Sequence, residues 1–185
     1  MEKNYPEKFG TYFEPFLGGG AVMFNLLSKH PDMKCHVSDL NSDLILAYLA
    51  IRDKVSEVLE SLENHSKKYQ KNQSQYYYHV RDSEPTSQIE KVSRLIFLNK
   101  TCFNGLYRVN SKGKFNVPLG RYTNPNIINK ENLLTVSKIL QSSNLEFFCR
   151  DFEQSLHDIK KGDFVYFDPP YQPISNTANF TSYTN

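Results

Sequence analysis

The chain has 185 residues, of which 39% are apolar and 23% are charged, which predicts one folded domain or one and a half. No apolar run approaches the roughly 20 residues of a membrane span, and the first residues lack the apolar core of a signal peptide. Three cysteines without metal-type spacing indicate a reduced, cytoplasmic protein with no metal site. The net charge is only +2, so binding of a polyanion would require basic residues concentrated in one part of the chain.

The first predicted unit is a strand, a glycine turn and a helix. Residues 11–16 have the pattern of a short strand, Leu17 to Gly20 form the turn, and residues 21–27 have helical spacing. This order begins nucleotide-binding α/β units, in which glycines allow a ligand to approach the backbone. The motif is neither a complete dinucleotide fingerprint nor a phosphate-binding loop. A tight strand-to-helix connection without a ligand is the alternative.

The second predicted strand, residues 34–38, ends at Asp39. An acidic residue about 20 positions after a glycine turn is placed to bind ribose hydroxyls. Capping of the next helix is the alternative, although Asn41 or Ser42 can serve as that cap. A helix is predicted over residues 41–53 and continues over 55–62.

A polar, tyrosine-rich stretch, residues 67–88, is predicted to be a poor core former and the start of an inserted region rather than sheet. Arg94 to Asn99 is predicted to end a helix. Alternating residues on both sides of Ser111-Lys112-Gly113 then indicate a β-hairpin within residues 101–122. From residue 91 to residue 122 the chain has seven basic and no acidic side chains, namely Lys91, Arg94, Lys100, Arg108, Lys112, Lys114 and Arg121.

Such a hairpin suits a DNA groove. Arginine can bind guanine through two hydrogen bonds, lysines can contact phosphates, and an aromatic ring can wedge between bases. A solvated surface hairpin is the alternative, but its charges are usually of mixed sign.

A helix at residues 131–140 and a strand at residues 145–149 follow, and the strand leads to Asp151-Phe152. A carboxylate beside an aromatic ring can bind an adenine by its amino group and its face. The alternative for Asp151 is the N-cap of a helix over residues 152–159, and both roles are compatible.

The last predicted strand, residues 163–168, is β-branched and aromatic, which predicts burial. It ends in the stiff turn Asp168-Pro169-Pro170-Tyr171, and the carboxyl ends of strands are where open α/β sheets bind ligands. The Asp168 carboxylate and the Pro169 carbonyl can accept hydrogen bonds from the two N–H groups of an adenine amino group, and Tyr171 can stack on the ring. A strand end with an Asx-type turn is the alternative.

Together these motifs resemble the Dam-like DNA adenine methyltransferases, which include the GATC-modifying enzymes of bacteria, phages and restriction systems. The resemblance extends from about Tyr12 to the end, in the family's order. Its motifs are Phe13-Glu14-Pro15-Phe16-Leu17-Gly18-Gly19-Gly20, Phe103-Asn104-Gly105-Leu106-Tyr107-Arg108, Phe115-Asn116-Val117-Pro118 with Gly120-Arg121-Tyr122, and Asp168-Pro169-Pro170-Tyr171.

The resemblance implies an α/β fold: a partial class I S-adenosylmethionine-dependent methyltransferase (Rossmann-like) sheet with an inserted helical and β-hairpin DNA-recognition domain. The expected division is 1–62 and 129–185 for the methyltransferase domain and 63–128 for the recognition domain. The implied cofactor is S-adenosyl-L-methionine, bound by Pro15, Phe16, Gly18, Gly20, Asp39, Asp151, Phe152 and Asp168. The implied catalytic residues are Asp168, Pro169, Pro170 and Tyr171.

The implied partner is double-stranded DNA. Phe103 would intercalate, Asn104 would support the flipped-out position, and the other implied contacts are Leu106, Arg108, Lys112, Lys114, Pro118, Arg121 and Tyr122. The family flips adenine out of the duplex and methylates its 6-amino group directly, without a metal or a covalent intermediate.

Two parts of the family pattern are absent from this sequence: an N-terminal Lys-Trp-x-Gly-Gly-Lys-type segment and the half domain after the catalytic loop. We therefore expect a fragment, truncated at both ends, whose activity depends on a complementary chain segment. The alternative function is a catalytically inactive fragment that retains DNA binding. Methylation of RNA or protein is disfavoured by the recognition hairpin.

Overall fold

The computed structural model describes residues 5–169, which divide into two compact units. The first unit consists of the residues up to Arg52 together with Val136–Pro169, and the second consists of Asp53–Thr135. The domain boundaries expected after residues 62 and 128 stay a prediction.

A parallel sheet forms the centre of the first unit. Its strands within the described residues are β1 (Thr11–Glu14), β2 (Lys34–Asp39), β3 (Leu145–Cys149) and β4 (Phe164–Val165). Their order is β3-β2-β1-β4 and every pairing is parallel. The carboxyl ends of these strands therefore lie at one edge of the sheet. The mixed α/β class predicted from the sequence is confirmed.

The helices of the described residues are α1 (Ala21–Lys29), α2 (Ser42–Lys71), α3 (Gln73–Asp82), α4 (Gln88–Thr101), α5 (Lys130–Ser142) and α6 (Phe152–Leu156). Helix α2 combines the two helical stretches predicted around residue 54, and its backbone leaves the helical region at Lys54 (φ −140°, ψ 35°). Among the described residues, none of these helices combines the length and apolar character that crossing a membrane requires.

The core of the first unit lies on one face of the sheet. Tyr12 of β1 and Val37 of β2 are fully buried there, with Met23 and Leu26 of α1 packed against them. Leu140 of α5 belongs to the same cluster. Burial of each such side chain contributes about 1.5–3 kcal/mol, so the strand-turn-helix pattern at the start of the chain is also the main packing unit.

The last strand differs from its prediction. Only Phe164 and Val165 pair with β1, both are half-buried, and Phe167 is 46% exposed. Asp163 accepts hydrogen bonds from the backbone N–H groups of Thr11 and Lys160, each at 2.8 Å. Asp163 therefore closes the turn before the strand instead of lying in it. The prediction of a buried strand over residues 163–168 is wrong because β4 has a neighbour on one side only among the described strands.

Aromatic side chains form the core of the second unit. Tyr69 of α2, Tyr77 of α3 and Phe97 of α4 are all buried. The Tyr77 hydroxyl donates a hydrogen bond of 2.8 Å to the carbonyl of Val117, which satisfies its polar atom. The stretch 67–88 is helical rather than sheet, as expected, but the prediction that it is a poor core former is wrong.

The predicted hairpin is present as a closed turn without regular strands. Its antiparallel pairs are isolated bridges between Cys102 and Leu119 and between Val109 and Phe115. The turn lies at the predicted position, where the Asn110 N–H donates to the Lys114 carbonyl at 2.9 Å. A 3₁₀ turn at residues 103–105 interrupts one arm, and a proline in the other arm, at 118, cannot donate to a ladder.

His65 of α2 packs within this second core. Its ring stacks on Phe97 with centroids 5.0 Å apart, and its Nδ1 lies 2.9 Å from the Tyr76 hydroxyl. Burial, and secondarily the Lys68 charge, lower the pKa of His65 to about 4, although Glu90 acts in the opposite direction. The folded protein thus holds this imidazole neutral.

We expect stability to fall as the pH drops from 6.5 to 4, because the unfolded chain then binds a proton that folded His65 does not. The contribution is fully present above the ordinary pKa of 6.5 and amounts to about 2 kcal/mol, since the ring is partly open to solvent. Denaturant unfolding of wild type and His65→Gln between pH 4 and 8 measures it. The difference between the two should shrink toward pH 4. His79→Gln, at an exposed histidine of α3, is the matched control, and parallel curves for wild type and His65→Gln would contradict the expectation.

Candidate active site and nucleic-acid interface

Asp39 connects the end of β2 to the glycine turn after β1. Its Oδ2 accepts a hydrogen bond from the Gly18 N–H at 3.0 Å, and its Oδ1 accepts one from the Asn41 N–H at 2.8 Å. The side chain of Asn41, not that of Asp39, accepts from the first N–H groups of α2, at Asp43 and Leu44. A carboxylate has about four acceptor positions, so Asp39 keeps the capacity to bind further donors such as ribose hydroxyls.

The glycine turn requires glycine at two positions. Gly18 (φ 48°) and Gly20 (φ 66°) have left-handed backbones, which side chains rarely adopt. A Cβ on Gly20 would lie 2.8 Å from the Tyr48 hydroxyl, which donates a 3.0 Å hydrogen bond to the Gly18 carbonyl. A Cβ on Gly18 or Gly19 would meet no atom within 4 Å. The turn is therefore closed on its inner side and open on its outer side, where a ligand can reach the backbone.

Aromatic rings link the loops at this edge of the sheet. Phe16, after β1, stacks on Phe152 with centroids 5.5 Å apart, and its ring lies 6.3 Å from that of Phe167 after β4. Pro15 is buried behind this loop, so it shapes the backbone rather than presenting a surface. The structure thus brings together the predicted residues Phe16 and Phe152, and it adds Phe167, which was not among the predicted site residues.

Asp151 caps helix α6, as the alternative interpretation predicts. Its Oδ1 accepts a 2.9 Å hydrogen bond from the Glu153 N–H. The helix covers Phe152–Leu156 and is shorter than the predicted 152–159. The adenine-binding role of Asp151 and Phe152 stays a prediction.

Asp168 and Pro169 are exposed at the end of the described residues, and Pro170 and Tyr171 lie outside them. Asp168 is close enough to Glu14 for its charge to raise the pKa of that carboxyl. Among residues 5–169 the structure has no cluster of three His, Cys, Asp or Glu side chains that could hold a metal ion.

Glu14 is a site residue that sequence reasoning missed. It ends β1, is 3% exposed and accepts a 2.8 Å hydrogen bond from the Tyr12 hydroxyl. Burial is the main cause that raises its pKa to about 7; Asp168 adds to this, whereas hydrogen bonds from Tyr12 and the Met23 backbone oppose it. The available signal was its spacing: two residues after inward-facing Tyr12 in a strand, an acid must face the core.

We expect Glu14→Gln to gain stability relative to wild type as the pH rises. Because the folded pKa lies near 7 and the ordinary value is 4.5, the contribution of Glu14 is present below pH 4.5 and lost as the pH rises through 7. The shift corresponds to about 3 kcal/mol between pH 4.5 and pH 8. Chemical denaturation of both proteins at the two pH values measures it, with exposed Glu7→Gln as control. Equal pH profiles for wild type and Glu14→Gln would refute the assignment.

In the second unit, the large apolar side chains predicted to contact DNA are exposed: Phe103 by 44%, Leu106 by 39% and Tyr122 by 41%. Asn104, between the first two, has a left-handed backbone (φ 53°). This conformation is uncommon outside glycine. Exposed residues of the same predicted set are Lys112, Lys114, Pro118 and Arg121.

Two of the predicted DNA contacts already have partners in the protein. Arg108 donates from Nε to Asn116 Oδ1 at 2.7 Å and from Nη2 to the Asn116 carbonyl at 3.3 Å. A guanidinium has five N–H donors, so Asn116 orients the side chain and leaves donors for a base. Lys114 forms an ion pair of 2.6 Å with Glu84. Residues 91–122 contain no acidic side chain, but Glu84 from outside this stretch contacts one of its lysines.

The protein is of the α/β class, and its parallel sheet has the open glycine turn and the Asp39 and Asp168 carboxylates at its carboxyl edge, where open α/β sheets bind ligands. The chain belongs to the D12 class N6 adenine-specific DNA methyltransferases, whose family model matches residues 1–185. This confirms the resemblance drawn from the sequence motifs. The family is an enzyme family, and its reaction is methylation of adenine in DNA.

Relatives named as type II methyltransferases or as DNA adenine methylases match nearly the whole chain. The type II methyltransferase M.MjaIII of Methanocaldococcus jannaschii is 43% identical over 198 residues, which is 100% of this chain and 68% of the relative. The type II methyltransferase M1.LlaDCHI of Lactococcus lactis subsp. cremoris is 42% identical over 97% of the chain. The DNA adenine methylase of Escherichia coli (strain K12) is 34% identical over 98%. The chain spans 63% of the length of each of the latter two.

Proposed function

We propose that the protein transfers a methyl group from S-adenosyl-L-methionine to the 6-amino group of adenine in duplex DNA, at GATC sites. It does so on a class I methyltransferase sheet with an inserted DNA-recognition domain. The observation that carries the proposal is the shared edge of the sheet, where Asp39 holds the open glycine turn and Asp168 lies near Glu14. The GATC site is supported by the relatives named DNA adenine methylase.

The residues at this edge suit an adenosine cofactor that supplies a methyl group activated by a sulfonium. Asp39 has remaining acceptor positions for ribose hydroxyls, and the space above Gly18 and Gly19 admits a ligand to the backbone. Asp151 would accept a hydrogen bond from the cofactor's adenine amino group, and Phe152, whose ring is partly exposed, would stack on the adenine face. Pro15, Phe16 and Gly20 shape the methionine side of the site.

The target adenine is bound by the turn that follows β4. The Asp168 carboxylate and the Pro169 carbonyl accept hydrogen bonds from the two N–H bonds of the amino group. This pushes the nitrogen toward a tetrahedral form and frees the lone pair that the ring otherwise withdraws. Tyr171 stacks on the flipped base, and orientation of the two reactants supplies most of the rate increase.

The second unit recognises the duplex. Phe103 inserts at the flipped-out position and Asn104 supports it, which fits the exposure of both residues. Arg108, oriented by Asn116, binds a base edge. Leu106 and Pro118 contact bases, whereas Lys112, Lys114, Arg121 and Tyr122 contact the backbone or flanking sequence.

A second candidate function is DNA binding without methyl transfer. The second unit has its own buried aromatic core beneath exposed Phe103 and Leu106, so a DNA-binding surface does not depend on the sheet.

The experiment that separates the two is calorimetric titration of the chain with S-adenosylmethionine, followed by methylation of a GATC duplex and a scrambled duplex. Methyl transfer to the GATC duplex, lost together with cofactor binding in Asp39→Ala but not in exposed Asp43→Ala, supports the proposal. Duplex binding without cofactor binding supports the second candidate.

Arg108→Ala should bind the GATC duplex and the scrambled duplex equally. Unchanged discrimination between the two duplexes would refute base recognition by Arg108.

A further inference from the structure

Arg150 lies between β3 and Asp151, and its side chain is largely buried, with 19% exposed. The guanidinium lies over the Phe148 ring, 4.1 Å from its centroid. Its Nη2 donates to Asp158 Oδ2 at 3.0 Å, and its Nε donates to Ser155 Oγ at 3.1 Å. One side chain thus contacts β3, helix α6 and the turn after α6.

Ser155 is the centre of this network. It is 2% exposed, and its Oγ lies 2.7 Å from the Oγ of Ser38 in β2, which is equally buried. The same Oγ is 3.5 Å from the Asp151 carbonyl. Arg150 and Ser155 together therefore connect helix α6 to both β2 and β3, next to Asp151 and Phe152 at the start of the helix.

We propose that Arg150 is a positioning residue for cofactor binding: its guanidinium holds α6 against the sheet and so fixes Asp151 and Phe152 for the cofactor's adenine. This inference rests on the proposed function. It assigns no ligand contact to Arg150, because Asp158 balances its charge and Phe148 covers one face of the guanidinium.

The need for such a clamp follows from the length of α6. A helix of five residues, Phe152–Leu156, is far below the length at which a helix is stable by itself. Ser155 is the buried residue of this helix, whereas Phe152 and Leu156 are exposed by 36% and 39%. The apolar side chains of the helix are thus only partly buried, and the hydrogen bonds of Ser155 Oγ form its fully buried link to the sheet. The ring of Phe152 keeps its stacked position beside Phe16 only while that helix is held.

The test is the dissociation constant of S-adenosylmethionine, and separately of adenosine, for wild type, Arg150→Met and Arg150→Lys. Methionine keeps the apolar stem and removes the hydrogen bonds and the charge. We expect Arg150→Met to weaken both ligands by about tenfold and Arg150→Lys to weaken them less, because an ammonium keeps the charge beside Asp158. Equal losses of affinity for S-adenosylmethionine and adenosine would show that the defect affects binding of the adenosine part of the cofactor.

The matched control is Arg81→Met in the second unit. Arg81 also pairs with a carboxylate, Asp82 at 2.8 Å, and lies over an aromatic ring, that of Tyr78 at 4.7 Å. Removal of this second guanidinium should leave both dissociation constants unchanged. A loss of affinity in Arg81→Met as large as that in Arg150→Met would overturn the assignment.

A double-mutant cycle with Phe152→Ala distinguishes positioning from a general structural role. If Arg150 acts through Asp151 and Phe152, the losses of S-adenosylmethionine affinity in Arg150→Met and Phe152→Ala are less than multiplicative in the double variant, because the part that acts through Phe152 is already absent. Multiplicative losses overturn the inference, and so does an affinity of folded Arg150→Met within twofold of wild type. Neither result affects the proposed cofactor site if Asp39→Ala still abolishes S-adenosylmethionine binding. If wild type binds neither ligand, the cofactor part of the proposed function fails together with the inference.

Discussion

Asp168→Ala is expected to reduce methyl transfer to a GATC duplex by about 10³-fold, the cost of removing one oriented group that acts on the reacting atoms. In the proposed function the carboxylate accepts a hydrogen bond from one N–H group of the target amino group, and the nearby acid among residues 5–169 is not available to replace it. Glu14, the nearby acid, is buried and bonded to Tyr12. The loss should appear in the single-turnover rate at saturating cofactor and DNA.

Asp32→Ala is the matched control for this prediction. Asp32 is an exposed carboxylate two residues before β2, at the opposite end of the sheet from the carboxyl edge. Its replacement should leave the single-turnover rate unchanged. A rate for Asp168→Ala within tenfold of wild type would show that the amino group is oriented without this carboxylate.

Phe97→Ala is expected to lower the free energy of unfolding by about 4 kcal/mol, in the upper range for an aromatic ring removed from a core. Phe97 has no exposed surface. Its ring is in contact with four other rings, those of His65, Tyr69, Tyr76 and Tyr77. Urea denaturation measures the change, and the loss should be accompanied by weaker duplex binding because the exposed candidate DNA contacts lie on the same unit.

Phe103→Ala removes the same side chain from the surface of the same unit. Because Phe103 is 44% exposed, we expect a stability change within about 0.5 kcal/mol together with weaker DNA binding. Stability and DNA binding should therefore separate in the two variants. A large loss of stability in Phe103→Ala, or a small one in Phe97→Ala, would contradict this division into surface and core.

The beginning of the chain could be predicted because its local and long-range signals agree. Gly18 and Gly20 after β1 have left-handed backbones, which other residues rarely adopt, and Asp39 closes the turn by accepting a hydrogen bond from the Gly18 N–H. The glycine conformations are local, whereas Asp39 lies 21 positions after Gly18, a separation that the sequence motif itself specifies. A strand, a glycine turn and an acid at the end of the next strand therefore defined this part of the site from the sequence.

Features that depend on distant partners could not be predicted. Tyr77 lies in a polar stretch that is typical of a surface, but its hydroxyl donates a hydrogen bond to the carbonyl of Val117, 40 positions away, which makes burial possible. The apolar run at Phe164 and Val165 carries no information on how many strands flank it. The ring stack of Phe16 on Phe152 joins residues from two separate stretches of the chain. In each case the decisive contact is made by tertiary structure.

The ion pair between Lys114 and Glu84 has a consequence for the ionic-strength dependence of DNA binding. A phosphate that contacts a lysine without such a partner releases a condensed cation, and each release steepens the decline of affinity with salt. Lys114 already has an anionic partner within the protein, the Glu84 carboxylate. A phosphate at Lys114 must displace this carboxylate. The slope of log affinity against log salt should then be shallower, by about one contact, than the number of basic residues on this surface indicates.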